Sequence, residues 1–119
     1  MKNILVIDTD IDYLTIMKLT LSSEDQNVKV FSNWKDGYSN IVASQPSLII
    51  MAVELKTADG RNLAMNLKDN PVTKNIPVIL ISADRSIKPN MQDYDVAEFL
   101  YKPIDITYFI RKVKTLIAA

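Results

Sequence analysis

The sequence predicts an α/β fold, a doubly wound five-stranded parallel sheet with five helices on its faces. Three short runs, Ile4-Leu5-Val6-Ile7, Leu48-Ile49-Ile50-Met51 and Val78-Ile79-Leu80-Ile81, are apolar throughout and rich in β-branched residues. Runs of that kind without alternation are strands covered on both faces. Two further runs, Val28-Lys29-Val30-Phe31 and Glu98-Phe99-Leu100-Tyr101, alternate more and suit sheet edges. Segments with apolar residues at helical spacing separate the five runs, and a chain that alternates strand and helix builds a parallel sheet with helices on both sides.

Each helix has its own signal. Leu14, Met17 and Leu21 line one face after Asp10, which caps the first helix. Trp34, Tyr38, Ile41 and Val42 line the second, after Ser32 and Asn33, and Leu63, Ala64 and Leu67 line the third. Phe109, Val113, Leu116 and Ile117 line the last, with Asp105 as its cap. The fourth helix is the weak one. Pro89 and the polar run from Asn90 to Asp95 leave it short or irregular, because proline disrupts a helix interior. Right-handed crossovers, with three buried strands inside two edge strands, fit the flavodoxin-like order 2-1-3-4-5. Ligands of such sheets sit at the carboxyl ends of the strands, here Asp8 to Asp10, Ala52 to Leu55, Ser82-Ala83 and Lys102-Pro103.

Composition narrows the chemistry. The 119 residues are expected to form one domain, 1–119, and are compatible with being the N-terminal part of a longer protein. Apolar residues make up 48% and charged residues 24%, and 14 basic residues balance 14 acidic ones. A zero net charge with no basic stripe argues against nucleic-acid binding by this domain. There is no cysteine and no histidine, so disulfides, thiolate chemistry, zinc-thiolate sites and imidazole bases are excluded. The first apolar run is too short for a signal peptide or a membrane span, which points to a cytoplasmic protein with no membrane role.

Several segments share one resemblance. Ile4-Leu5-Val6-Ile7-Asp8 is similar to a first strand with an acidic end, and Pro46-Ser47-Leu48-Ile49-Ile50-Met51 to a third strand. Asp59-Gly60 fits the turn that opens a third helix. Ile76-Pro77-Val78-Ile79-Leu80-Ile81-Ser82-Ala83 and Phe99-Leu100-Tyr101-Lys102-Pro103 fit the last two strands, the latter ending in a Lys-Pro pair. Taken in order and at these spacings, they resemble the response-regulator receiver domain, the CheY-like family, over nearly the whole chain. The resemblance implies a site with three carboxylates. Two follow the first strand and hold Mg²⁺, and one ends the third strand, binds Mg²⁺ and attacks phosphorus to form an aspartyl phosphate. A lysine neutralises the phosphoryl oxygens, and a serine or threonine hydroxyl binds one of them. It also implies a cis peptide bond at Pro103, the one bond type where cis is cheap.

Carried over residue by residue, the pattern breaks in several places. The first acid is Asp8, but the second position is Thr9 and the phosphoacceptor position is Ala52. The hydroxyl is Ser82 and the lysine is Lys102, while Lys56 replaces the usual proline of the loop after the third strand. A methyl group has no nucleophilic atom. The ligand charge falls from about −3 to −1, which is a poor magnesium site, so no cofactor and no tight metal are expected. The run Met51-Ala52-Val53-Glu54-Leu55 also resembles that of pseudo-receivers in gliding-motility regulators.

The remaining charged groups have a functional and an ordinary reading each. Asp8 pairs with Lys102, or accepts backbone N–H bonds from the next helix. Glu54 reaches Lys102 and fills the space of the missing phosphoryl group, or is a loop glutamate in solvent, the usual place for glutamate. Asp10 stands in as a metal ligand, or is simply the helix cap. Ser82, without a phosphoryl group, bonds backbone or water. Phe99 is a fixed anchor on an interaction face, or plain edge-strand packing.

The leading expectation is a non-enzymatic signalling module that binds a protein partner. The family docks partners on the face of the fourth helix, fifth strand and fifth helix, here Ile87, Met91, Tyr94, Phe99, Tyr101, Pro103, Tyr108 and Lys112. The alternative is an atypical response regulator still phosphorylated or metal-binding at Asp8, Asp10 or Glu54. A third reading, a small-molecule binder, is disfavoured because Thr9-Asp10-Ile11-Asp12 is acidic and lacks the glycines of a phosphate loop.

Overall fold

The computed structural model describes residues 2–23 and 25–118. Its elements run β1 (Lys2–Ile7), α1 (Ile11–Leu21), β2 (Gln26–Phe31), α2 (Trp34–Ser44), β3 (Leu48–Ala52), β4 (Glu54–Leu55), β5 (Ala58–Asp59), α3 (Gly60–Asp69), β6 (Val78–Ser82), α4 (Met91–Tyr94), β7 (Glu98–Tyr101) and α5 (Ile106–Ile117). Five strands form one parallel sheet in the order β2-β1-β3-β6-β7. Counted along the chain within that sheet, this is the predicted 2-1-3-4-5. The three unalternating runs are its middle strands, and β3 and β6 are buried along their whole length.

Successive strand residues point to opposite faces, so each central strand feeds two cores. On one face Ile4, Val6, Ile50, Ile79 and Ile81 meet Leu14, Met17 and Leu21 of α1 and Phe109, Val113 and Ile117 of α5. On the other, Leu5, Ile7, Ile49, Met51, Val78 and Leu80 meet Ile41 of α2 and Leu63, Ala64 and Leu67 of α3. Four side chains fix where helices start. Asp10, Asn33, Asp59 and Asp105 accept from the N–H groups of Tyr13, Asp36, Arg61 and Tyr108 at 3.1, 2.9, 2.9 and 3.1 Å. Each satisfies an otherwise orphaned donor, a contribution of ~1 kcal/mol.

α4 is the short element that Pro89 and its polar neighbours predict, a single turn of four residues. Two features differ from expectation. Val42 is 42% exposed and not part of the core face, because α2 meets the sheet along a narrow stripe of Gly37 and Ile41. A Cβ at Gly37 would lie 2.6 Å from Ile7 Cδ1, so the helix seats closely there. The loop after β3 is an antiparallel hairpin, with Glu54 opposite Asp59 and Leu55 opposite Ala58. Strands of two residues carry no period by which a sequence announces them. Among the described residues no helix is long and apolar enough to cross a membrane.

Candidate functional site

Parallel strands end on one edge of the sheet, which gathers the side chains that follow β1, β3, β6 and β7 into a single cleft. Asp8 to Asp10, Ala52, Ser82-Ala83 and Lys102-Pro103 all lie on this edge, and the Lys102-Pro103 peptide is cis. The floor is tight. The Gly60 N–H donates to the Val53 carbonyl at 2.8 Å, and a Cβ on Gly60 would fall 2.1 Å from the Ala52 carbonyl oxygen. Only glycine lets the start of α3 come this close to the end of β3.

Asp8 is buried and uses both oxygens. Oδ1 accepts from the Asp10 N–H at 2.9 Å, and Oδ2 accepts from Lys102 Nζ at 2.9 Å. The two sequence readings of Asp8 thus coexist. A buried carboxylate needs such partners, since an unpaired charge there is costly. Lys102 Nζ also lies 3.9 Å from the centre of the Tyr13 ring, within cation–π range. The Tyr13 hydroxyl is buried with no hydrogen-bond partner among the described residues. Burial, then the charges of Asp8 and Asp10, push its pKa up to about 12.

The last residue of β3 carries no carboxylate. Ala52 is 5% exposed and presents a methyl group. Asp10 is the cap of α1, not a companion to Asp8. Among the described residues, no three side chains of the Asp, Glu, His or Cys type come close enough together to hold a metal ion.

Glu54 overturns both of its sequence readings in part. Glu54 is an exposed residue, yet each oxygen of its carboxylate accepts a hydrogen bond, and neither comes from Lys102. Oε2 accepts from the Ser82 hydroxyl at 2.7 Å, and Oε1 accepts from the Ala83 N–H at 2.8 Å. Lys102 is paired with Asp8 instead. Ser82 is completely buried, and its Oγ also accepts from the Asp84 N–H at 3.0 Å. The expected backbone partner is there in Asp84, and the Glu54 side chain is a further one that the sequence reading lacked.

The α4–β7–α5 face is present but differently composed than expected. Phe99 is buried at 5% exposure, so it supports the face from within and does not line it. Its ring packs 5.4 Å from Tyr101 and 6.4 Å from Tyr94, centre to centre. Met91 and Tyr108 are well exposed at 39% and 43%, Pro103 is exposed, and Tyr101, Tyr94, Ile87 and Lys112 are half-buried. The Tyr101 hydroxyl donates to the Ile87 carbonyl, and Tyr108 donates to Glu98.

Three contributors escaped the sequence reading. Tyr13 sits beside the predicted core stripe, in the first turn of α1, and its ring reaches Lys102 in the cleft. Arg61 forks onto Asp59 at 2.6 Å, and that bond holds the Asp59 carboxyl below the usual carboxylate range. The Arg85 guanidinium lies 5.7 Å from the centre of the Tyr101 ring. None belongs to a periodic pattern; an arginine two residues after a helix-capping aspartate was the one available hint, for Arg61.

Comparison with known proteins agrees with the fold. Residues 4–114 match the response regulator receiver domain family, and the chain belongs to it. It is 27% identical over 119 residues to the DNA-binding dual master transcriptional regulator RpaA of Synechocystis sp. (strain ATCC 27184 / PCC 6803 / Kazusa), covering 98% of this chain and 49% of RpaA. It is 28% identical over 115 residues to the response regulator PleD of Caulobacter vibrioides, covering 95% of this chain and 25% of PleD. The chain thus spans about half the length of one relative and a quarter of the other. Among solved structures, the signal receiver domain of the DNA-binding response regulator protein merR from Colwellia psychrerythraea 34H superposes with a TM-score of 0.89 at 19% identity, covering 100% of both chains.

Proposed function

We propose that this receiver domain takes no phosphoryl group and works as a protein-interaction module in a signalling pathway. One observation carries the reading: the residue at the end of β3 is Ala52, which has no atom able to attack phosphorus. The nearby carboxylates support it, because each is committed elsewhere. Asp8 is held by Lys102 and the Asp10 N–H, Asp10 caps α1, and Glu54 is bound by Ser82 and Ala83. A nucleophile must be placed to within about an angstrom, and none of these is free to move there.

The same arrangement disfavours magnesium. Hard Mg²⁺ asks for an octahedron of oxygens, whereas the buried carboxylate of the cleft, Asp8, has an ammonium 2.9 Å away. The domain is accordingly read as a cytoplasmic, non-enzymatic partner-binding unit without cofactor, nucleic acid or membrane contact of its own. The docking face is the one bearing Met91, Tyr101, Pro103 and Tyr108. Without a phosphoryl group to bias two states, that face is constitutive or answers another input.

The test combines intact mass after treatment with a small phosphodonor and Mg²⁺ with amide NMR during titration of Mg²⁺ and then beryllium fluoride. The expected result is an unchanged mass and unmoved signals at Asp8, Ala52, Ser82 and Lys102. A phosphoryl adduct, or saturable shifts there that spread to Tyr101, overturns the reading.

A further inference from the structure

Glu54 is bonded in a way that an ordinary surface glutamate is not. Both of its carboxylate oxygens are taken, by two donors that lie side by side at the end of β6, the buried Ser82 hydroxyl at 2.7 Å and the Ala83 N–H at 2.8 Å. An anion held by a hydroxyl and a backbone N–H is a charge-assisted arrangement that suits any oxyanion at this spot. Ser82 is also the residue whose counterpart in the resemblance set out above binds a phosphoryl oxygen.

The bonds continue away from the cleft. Ser82 Oγ accepts from the Asp84 N–H at 3.0 Å, and the Asp84 carboxylate accepts from the N–H and hydroxyl of Ser86 at 2.9 and 2.6 Å. The Asp84 carbonyl accepts from the Ile87 N–H at 3.3 Å, and the Ile87 carbonyl accepts from the Tyr101 hydroxyl. Tyr101 packs on Phe99, and Phe99 on Tyr94. A continuous chain of hydrogen bonds and ring contacts therefore joins the Glu54 carboxylate to the aromatic residues of the α4–β7–α5 face.

We infer that Glu54 is an anion built into the chain, standing where a soluble or covalent oxyanion would otherwise bind, and that it holds the β6–α4 segment and Tyr101 in one arrangement. The inference rests on the reading that the site takes no phosphoryl group, and it says how the partner face is kept fixed without one. A carboxylate tethered two residues beyond Ala52 meets its donors at an effective concentration no free anion reaches. The lock thus needs no metal, kinase or ligand.

Amide hydrogen exchange and NMR on the intact chain test this with Glu54→Ala, Glu54→Gln and Ser82→Ala, each first shown to be folded by its thermal transition. In Glu54→Ala the Ala83 amide is expected to lose about tenfold or more of its protection, the worth of one charge-assisted hydrogen bond. Shifts should run through Ser82–Ile87 to Tyr101 and Phe99. Glu54→Gln keeps one carbonyl acceptor and should fall between, and Ser82→Ala should reproduce the shifts at Tyr101 from the other side. Shifts confined to the hairpin, with Ala83 protection and Tyr101 unmoved, overturn the lock while leaving the phosphoryl-free reading intact. Binding of beryllium fluoride by the unaltered chain overturns both.

Discussion

The two sides of the cleft solve the same problem with different residues. On the β1–β7 side a carboxylate and an ammonium of the kind the receiver family uses, Asp8 and Lys102, have closed on each other at 2.9 Å. On the β3–β6 side the family's acid is an alanine, and a carboxylate two residues further on, Glu54, supplies the charge to Ser82 and Ala83. The first side is buried and held by a charge pair; the second is at the rim and held by neutral donors. The contrast teaches that a methyl group at the end of β3 need not leave the charged groups around it unpaired. Asp8 and Lys102 pair with each other, and Glu54 on a short hairpin takes the donors of Ser82 and Ala83.

The largest effect should come from breaking what both sides lean on. Gly60→Ala forces a methyl group to 2.1 Å from the Ala52 carbonyl oxygen, so the hairpin and the start of α3 must back away from β3. A loss of about 3 kcal/mol is expected in denaturant unfolding. A loss under about 1 kcal/mol would mean that the floor of the cleft is pliable.

Next comes the buried side alone. Lys102→Met leaves the Asp8 carboxylate without its counter-ion and should cost about 2 kcal/mol, toward the low end for such pairs because the lysine side chain is 20% exposed. Adding Asp8→Asn should recover more than half of that loss. A double-mutant cycle by urea unfolding measures the recovery, and additive losses would show that the two groups do not depend on each other.

The smallest effect sharpens the comparison, because it concerns a polar group that neither side satisfies. Tyr13→Phe removes a buried hydroxyl that has no partner among the described residues and should be neutral or stabilising by up to about 1 kcal/mol. It should also change the alkaline limb of the stability curve. The folded phenol keeps its proton to about 12, whereas an unfolded one releases it near 10.0. Between those values the folded state binds more protons, so stability is complete below that window and falls as pH rises through it. The difference between the unaltered chain and Tyr13→Phe across this range isolates the residue from the other tyrosines. Parallel curves would show that Tyr13 is not shielded.

The legible part of the fold was the part written in long patterns. Leu48–Met51 and Val78–Ile81 announce buried parallel strands because nothing polar interrupts them, and Pro89 announces a truncated α4. Asp8, Ser82 and Lys102 were legible because strand ends converge on one edge of a parallel sheet whatever the loops do. What stayed hidden was direction at short range. Position left Glu54 either over the cleft or in solvent, and its choice of Ser82 and Ala83 depends on a hairpin whose two-residue strands leave no period. Val42 misled for a related reason: it lies at the margin of the α2 stripe, where helical spacing cannot tell the last buried residue from the first exposed one. Phe99 stayed open between interaction-face anchor and edge-strand packing, because the sequence of an edge strand does not say which of its faces a covering helix protects; its burial favours packing.

The hairpin itself has a mechanical consequence. Two strands of two residues are too small to persist on their own pairing, and here Glu54 and Asp59 oppose each other as like charges. Each is drawn off to its own flank, Glu54 to the end of β6 and Asp59 to Arg61 of α3. The hairpin is guyed like a mast, by opposing stays and not by the stiffness of its own pole. Slackening either stay lets it lean toward the other, so its bearing at the mouth of the cleft is set by the balance of the two.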